Sequence, residues 1–232
     1  IIAMLIALLL PSLQQARYTV RSIGCLSNHR QLGLALSMYL ADSNDVLPHA
    51  YDFVEYRHDY RRQLPQYLGN DESIWSCLNA VWPGGRTVSS NPAVMREVRG
   101  SDLAAGVKAL PHREIGRLSE VAILLDGAQK SQDEPDAQAM AKGIDVSIWG
   151  QGYRPTQTDL DSPVIPGPNV DGWVNNESPK HKLRWREAGA SGNQGTWIIN
   201  VLFSDMHAES VQRGDLLRRH LRPNETPASW AN

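Results

Sequence analysis

The chain has little cysteine, little net charge and none of the short motifs that carry enzymatic chemistry. Only 2 cysteines, Cys25 and Cys77, occur in 232 residues, and no CxxC is present, so a cysteine zinc site is unsupported. There is no HExxH, and His112-Arg113-Glu114 has no Pro-Cys-x-x-Cys partner of the kind a zinc deaminase needs. Gly189-Ala190-Ser191-Gly192 is not a nucleophile elbow. Gly150-Gln151-Gly152 lacks the third glycine of a dinucleotide fingerprint, and no Gly-Lys-Ser/Thr phosphate loop appears. A net charge of −2 with pI near 6.4 supplies no basic field, so nucleic acid is not an expected partner. Internal repeats and low-complexity tracts are absent as well. These absences point away from an enzyme.

What is present lies first at the start. Ile1, Ile2, Met4, Leu5, Ile6, Leu8, Leu9 and Leu10 form a block with no charge and no polar side chain, running into Pro11 and Leu13. Crossing a bilayer takes roughly 20 apolar residues, so the block is too short to span by itself and reads as the end of a longer hydrophobic segment. A secretory signal would show a basic lead-in and a small-x-small cleavage site; neither is found. A core helix of a soluble domain is normally amphipathic, whereas this block is apolar all round. An assembly or membrane stem fits it best.

The residues after Pro11 are rich in helix formers, and apolar positions recur at helical spacing. Leu13, Ala16, Val20 and Ile23 share one stripe; Leu32, Ala35, Leu36 and Tyr39 share another, displaced around the axis. Such a helix can meet neighbouring subunits with its first half and its own globular part with its second. Pro11 forfeits a backbone hydrogen bond and predicts a kink or a locally unwound turn.

The string IIAMLIALLLPSLQQAR, followed by CLSNHRQLGLALSMYLADSNDVLP, resembles the type IV prepilin-like class. Within that class it is most similar to the type II secretion pseudopilin-like proteins, which carry an N-terminal cleavage and methylation signal. A second stretch, NVLFSDMHAESV over residues 200–211 and preceded by His181, is similar to the family's histidine, apolar strand and Ala-Asp-Gly-His segment. Asp205 and His207 keep that head-domain hairpin pattern, but Met206 stands where the family has glycine. Without glycine a turn that needs positive φ is strained, which predicts a different hairpin type. QYLGNDESIWSC (66–77) and EVAILLDG (120–127) are fainter likenesses. The basic leader and the Phe and Glu of the family's start are not in this sequence, so processing by a prepilin peptidase, N-methylation and an assembly ATPase are implied by the resemblance alone.

The resemblance implies an α+β, pilin-like fold: a long kinked N-terminal helix packed on a small antiparallel sheet with long loops. The expected division is a helix over 1–40, with 1–12 as filament-core stem and 13–40 as amphipathic half, and a globular head over 41–232. It implies a homo-oligomeric helical filament that resides in the inner membrane as a precursor and is extracellular or periplasmic once assembled. The alternative is a membrane-anchored monomeric envelope or ligand-binding protein that uses the same stem as its anchor. Cys25 and Cys77 can then close a disulfide, as pairs in exported proteins do, or remain two buried thiols.

Elsewhere, a short helix over Arg61–Leu68 interrupted at Pro65, strands over Val121–Leu125, Trp197–Phe203 and His207–Val211, and a helix over Gly214–Leu221 are expected. The loop from Gly150 to Gly195 holds Asp159, Asp161, Asn169 and Asp171, hard oxygen donors suited to calcium, though without EF-hand spacing; otherwise no cofactor or metal is expected. His181, Asp205 and His207 can gather around a metal or serve as an acid-base site, but an Asp in a hairpin more commonly bonds nearby amides. Asn176 and Asn224 begin glycosylation sequons of a kind that arise by chance.

Overall fold

The computed structural model describes residues 2–52, 60–80, 84–91, 94–95, 97–98, 110–127, 186–187, 197–212 and 215–221. Helix α1 (Ile2–Asp42) is one run of 41 residues, about 60 Å long at 1.5 Å per residue. It remains helical through Pro11, and no locally unwound turn appears there. At the next residue, the Ser12 hydroxyl donates to the Leu9 carbonyl one turn back at 2.8 Å. The helix ends two residues past the expected boundary. Asn44 and Asp45 adopt positive φ, which short polar side chains tolerate, and the Asp45 amide closes onto the Leu40 carbonyl at 2.9 Å.

The head contains a parallel pair, β1 (Tyr51–Asp52) and β3 (Glu97–Val98), and a larger antiparallel sheet. The sheet runs in the order β2 (Val88–Ser90), β4 (Ala122–Asp126), β6 (Trp197–Phe203), β7 (Ala208–Gln212), with β5 (Arg186–Glu187) pairing the first residues of β6. The fold is therefore α+β, a long N-terminal helix with a small antiparallel sheet. The strands expected around 121–125, 197–203 and 207–211 are β4, β6 and β7. The expected helix over 61–68 is split: α2 (Tyr60–Gln63) stops before Pro65, and Pro65–Leu68 forms a tighter 3-10 turn. Similarly, among the described residues of the last expected helix, Arg218–Leu221 forms a 3-10 turn, and Gly214 lies outside the described residues.

Two apolar clusters hold the sheet. Leu32, Leu36 and Leu40 of α1 pack with Leu124 and Leu202, and the cluster extends to Tyr60, Leu64 and Trp75. Tyr60 and Trp75 meet edge to face at 5.7 Å, and the Tyr60 hydroxyl donates to the Val88 carbonyl at 3.1 Å. Leu125, Ile199, Val201, Phe203 and Val211 pack with Leu216 and Leu221 beyond β7. Ala122 joins this second cluster because the β4–β6 ladder shifts register between Ala122 and Leu124. All five residues of β4 are buried, as suits a strand covered on both sides.

Candidate functional site

The two halves of α1 meet different surroundings. From Cys25 onward one face is buried: Cys25, His29, Leu32, Ala35, Leu36 and Leu40 lie against the head, with Tyr39 half-buried. These include the second stripe read from the sequence. The first stripe faces outward: Val20 is 67 % and Ile23 61 % exposed, Leu13 is half exposed, and Ala16 is exposed. Nearer the start, Ile2 is 76 % and Leu9 63 % exposed, and Leu10 and Pro11 are open too. Met4, Leu5, Ile6 and Leu8 belong to the helix by their backbone; Ile1 lies outside the described residues. Among the described residues no helix is long and apolar enough to cross a membrane.

The boundary between the halves is fastened covalently. Cys25 and Cys77 form a disulfide with their Cα atoms 5.0 Å apart, across 52 positions of sequence. One turn further on, the Asn28 amide donates to the Ser76 carbonyl at 3.2 Å. Leu78, exposed itself, leans on Gly24, where any added Cβ would lie 3.0 Å from Leu78 Cδ1. The next turn holds a buried polar pair: His29 Nδ1–H donates to the Cys25 carbonyl at 3.1 Å, and Nε2 lies 3.9 Å from Asp126 Oδ1. The other oxygen of Asp126 accepts the Asn200 backbone N–H at 2.7 Å, and Asn200 Oδ1 accepts the Ser210 hydroxyl. A buried carboxylate needs such partners to be tolerated. Beside Gly127, Asp126 reads from its local sequence as a turn residue, and its inward role comes from contacts distant in sequence.

Three outward apolar side chains were not singled out from the sequence: Leu34, Met38 and Leu78. Leu34 and Met38 sit four apart on the face of α1 away from the head. Helical spacing makes them readable in retrospect, because they are out of phase with Leu32 and Leu36.

The hairpin residues lie together at the β6–β7 turn. His207 Nδ1–H donates to Asp205 at 2.5 Å, and the imidazole stacks on Phe203 with ring centroids 4.5 Å apart. Asp205 also accepts the His207 backbone N–H at 3.2 Å, so the carboxylate shapes its own turn. Contrary to the expected change of hairpin type, the turn keeps a left-handed residue and places Met206 there, at φ 70°. Left-handed backbone costs a side-chain-bearing residue roughly 1–2 kcal/mol. Burial of part of the Met206 side chain against the helix-facing cluster offsets some of it. Nearby, His112 Nε2–H donates to the Ser204 carbonyl at 2.6 Å while Nδ1 faces Asp45 at 3.5 Å, tying this turn to the end of α1.

His181, the 159–171 loop with its calcium-type donors, Asn176 and Asn224 lie outside the described residues. Among the described residues no group of three or more His, Cys, Asp or Glu side chains is placed to hold a metal ion. The open, apolar face of α1 is the most extended exposed apolar feature of the described residues. Comparison with protein-family models, with curated proteins and with solved structures finds no match to this chain.

Proposed function

We propose that the chain is a non-enzymatic structural subunit of a pilin-like or pseudopilus-like helical filament that polymerises through α1. One observation carries this reading: among its described side chains the helix buries one face in its own head from Cys25 onward, while Ile2, Leu9, Leu10, Leu13, Val20 and Ile23 stay open. Burying a Leu, Ile or Val is worth about 1.5–3 kcal/mol, so several such residues in line are a strong drive for a covering partner. Lipid supplies it before assembly and sister helices afterwards. Exchanging one for the other gains little hydrophobic energy, so packing detail and outside work must complete the step. The prepilin-like resemblance adds a peptidase and an assembly ATPase as partners, an inner-membrane precursor, and an extracellular or periplasmic fibre.

Negative-stain images of sheared cell-surface or periplasmic material test the reading. Thin fibres containing the chain are expected. Leu9→Asp should abolish them while the head melts as before. A wild-type chain that stays membrane-bound and monomeric on gentle extraction would instead favour an anchored envelope or ligand-binding protein.

A further inference from the structure

Both cysteines of the Cys25–Cys77 bond are enclosed: Cys25 is 1 % and Cys77 8 % exposed. Around them, Leu78 lies over Gly24, the Asn28 amide reaches the Ser76 carbonyl, and the Cys25 carbonyl accepts His29 Nδ1–H. Thiol–disulfide exchange needs an incoming sulfur to touch the sulfur it attacks. Docked α1 closes that approach.

The two cysteines are held differently. Cys77 takes its polar contacts from the head: its N–H donates to Thr87 Oγ1 at 2.8 Å, and its Sγ accepts the Asn79 N–H at 3.3 Å. Thr87 is itself fixed, its N–H donating to the Trp75 carbonyl at 2.7 Å. No part of this frame belongs to α1, so it persists when the helix lifts away. An N–H aimed at sulfur favours the thiolate, which is the reactive form. Cys25 lies deep inside α1, remote from both helix ends, where the helix dipole gives a thiolate no such support.

From this asymmetry we infer that the disulfide is made while α1 is lifted off the head, with Cys77 as the entry cysteine and Cys25 as the resolving one. The Cys77 thiolate attacks a disulfide-bonded oxidant, forms a mixed disulfide and expels one sulfur of the oxidant as a thiolate. As α1 closes, the Cys25 thiolate attacks Cys77 Sγ; the Cys25–Cys77 bond forms and the oxidant's other sulfur leaves. The cysteines lose their thiol protons and an electron pair, and the oxidant ends with both sulfurs reduced. The reaction that supplies the finished subunit is thus a dithiol oxidation that precedes docking. Leu32, Leu36 and Leu40 then seal its product against the head.

Glutathione disulfide is the probe oxidant, applied to the reduced full chain in detergent with acid quenching and mass mapping of adducts. Cys25→Ser should take glutathione at Cys77 at least about threefold faster than Cys77→Ser takes it at Cys25. The transient adduct of the unmutated chain should sit on Cys77. In the oxidised chain, Leu36→Ala should accelerate reduction by dithiothreitol at least about tenfold, whereas Leu34→Ala should leave the rate unchanged. If Leu36→Ala does not fold, urea below the unfolding transition of the unmutated chain should produce the same acceleration. Glutathione on Cys25 first, equal rates in the two single-cysteine chains, or reduction indifferent to loosened docking would overturn the order.

Discussion

Gly33 of the long helix lies directly against the β6–β7 turn, so close that a Cβ there would sit 3.0 Å from the Met206 carbonyl oxygen and 2.7 Å from Leu202 Cδ1. The Leu202 methyl can swing aside, but the Met206 oxygen belongs to a turn already held in left-handed backbone. Gly33→Ala sets a gain in helix propensity of about 1 kcal/mol against overpacking that typically costs 1–3 kcal/mol. A net loss of roughly 1 kcal/mol is expected, read as a lower urea midpoint with unchanged slope. A stabilised variant would mean that helix and turn separate more easily than their contact implies.

The disulfide closes a long loop, and its removal should be costly. With 52 positions between Cys25 and Cys77, the chain-entropy relation gives about 4 kcal/mol. Cys25→Ser with Cys77→Ser should lower the unfolding free energy by an amount of that order. Proteolysis should then cut first near residues 20–30, where α1 leaves the head.

Neighbouring leucines on opposite faces of α1 should respond very differently. Leu36 is fully buried whereas Leu34 is open. Leu36→Ala should cost about 2–5 kcal/mol; Leu34→Ala should stay within about 0.5 kcal/mol in the unassembled chain. Equal losses would show that Leu34 is covered within a single molecule.

His220 should make the end of the chain sensitive to acid. Burial holds its pKa below the usual histidine value, aided by nearby Arg219 and Arg117 and opposed by Glu120. Its Nδ1 accepts the Leu217 N–H at 3.2 Å, a bond only the unprotonated nitrogen can make. The folded value is depressed, so the unfolded chain takes up the proton first as pH falls. The contribution is complete above the ordinary histidine pKa of about 6.5 and is lost as pH drops through the lower folded value. An NMR titration should place this imidazole below a model histidine, with the 215–221 amides shifting in parallel. His220→Gln should remove the part of the acid destabilisation that belongs to this site.

Much of the architecture was legible because it is encoded locally. The displaced stripes of α1 are a matter of 3.6-residue periodicity, and both faces emerged as read: Leu32, Ala35 and Leu36 inward, Leu13, Val20 and Ile23 outward. Trp197–Phe203 is rich in β-branched and aromatic residues and forms β6 over those bounds. Less legible were features decided by distant contact. Asp126-Gly127 reads as a turn, yet Asp126 is buried because His29 and the Asn200 amide meet it there. The parallel β1–β3 pair spans two residues per strand, too short for any periodic signal. Met206 in a left-handed turn contradicts its local preference and is held by the helix packed over it. The candidate site was legible as a stem, but that Leu34 and Met38 belong to the open face depends on knowing which face the head occupies.

The position of the Cys25–Cys77 bond has a mechanical meaning. Cys25 is the first described α1 side chain to be buried, so the bond lies where the free rod enters the body. A pull along the rod reaches the sheet region through a covalent rivet, and the docked turns behind it are shielded from peeling one at a time. The grip of head on rod is then limited by the strength of the surrounding backbone, and traction on one end of the subunit is carried as tension rather than as separation.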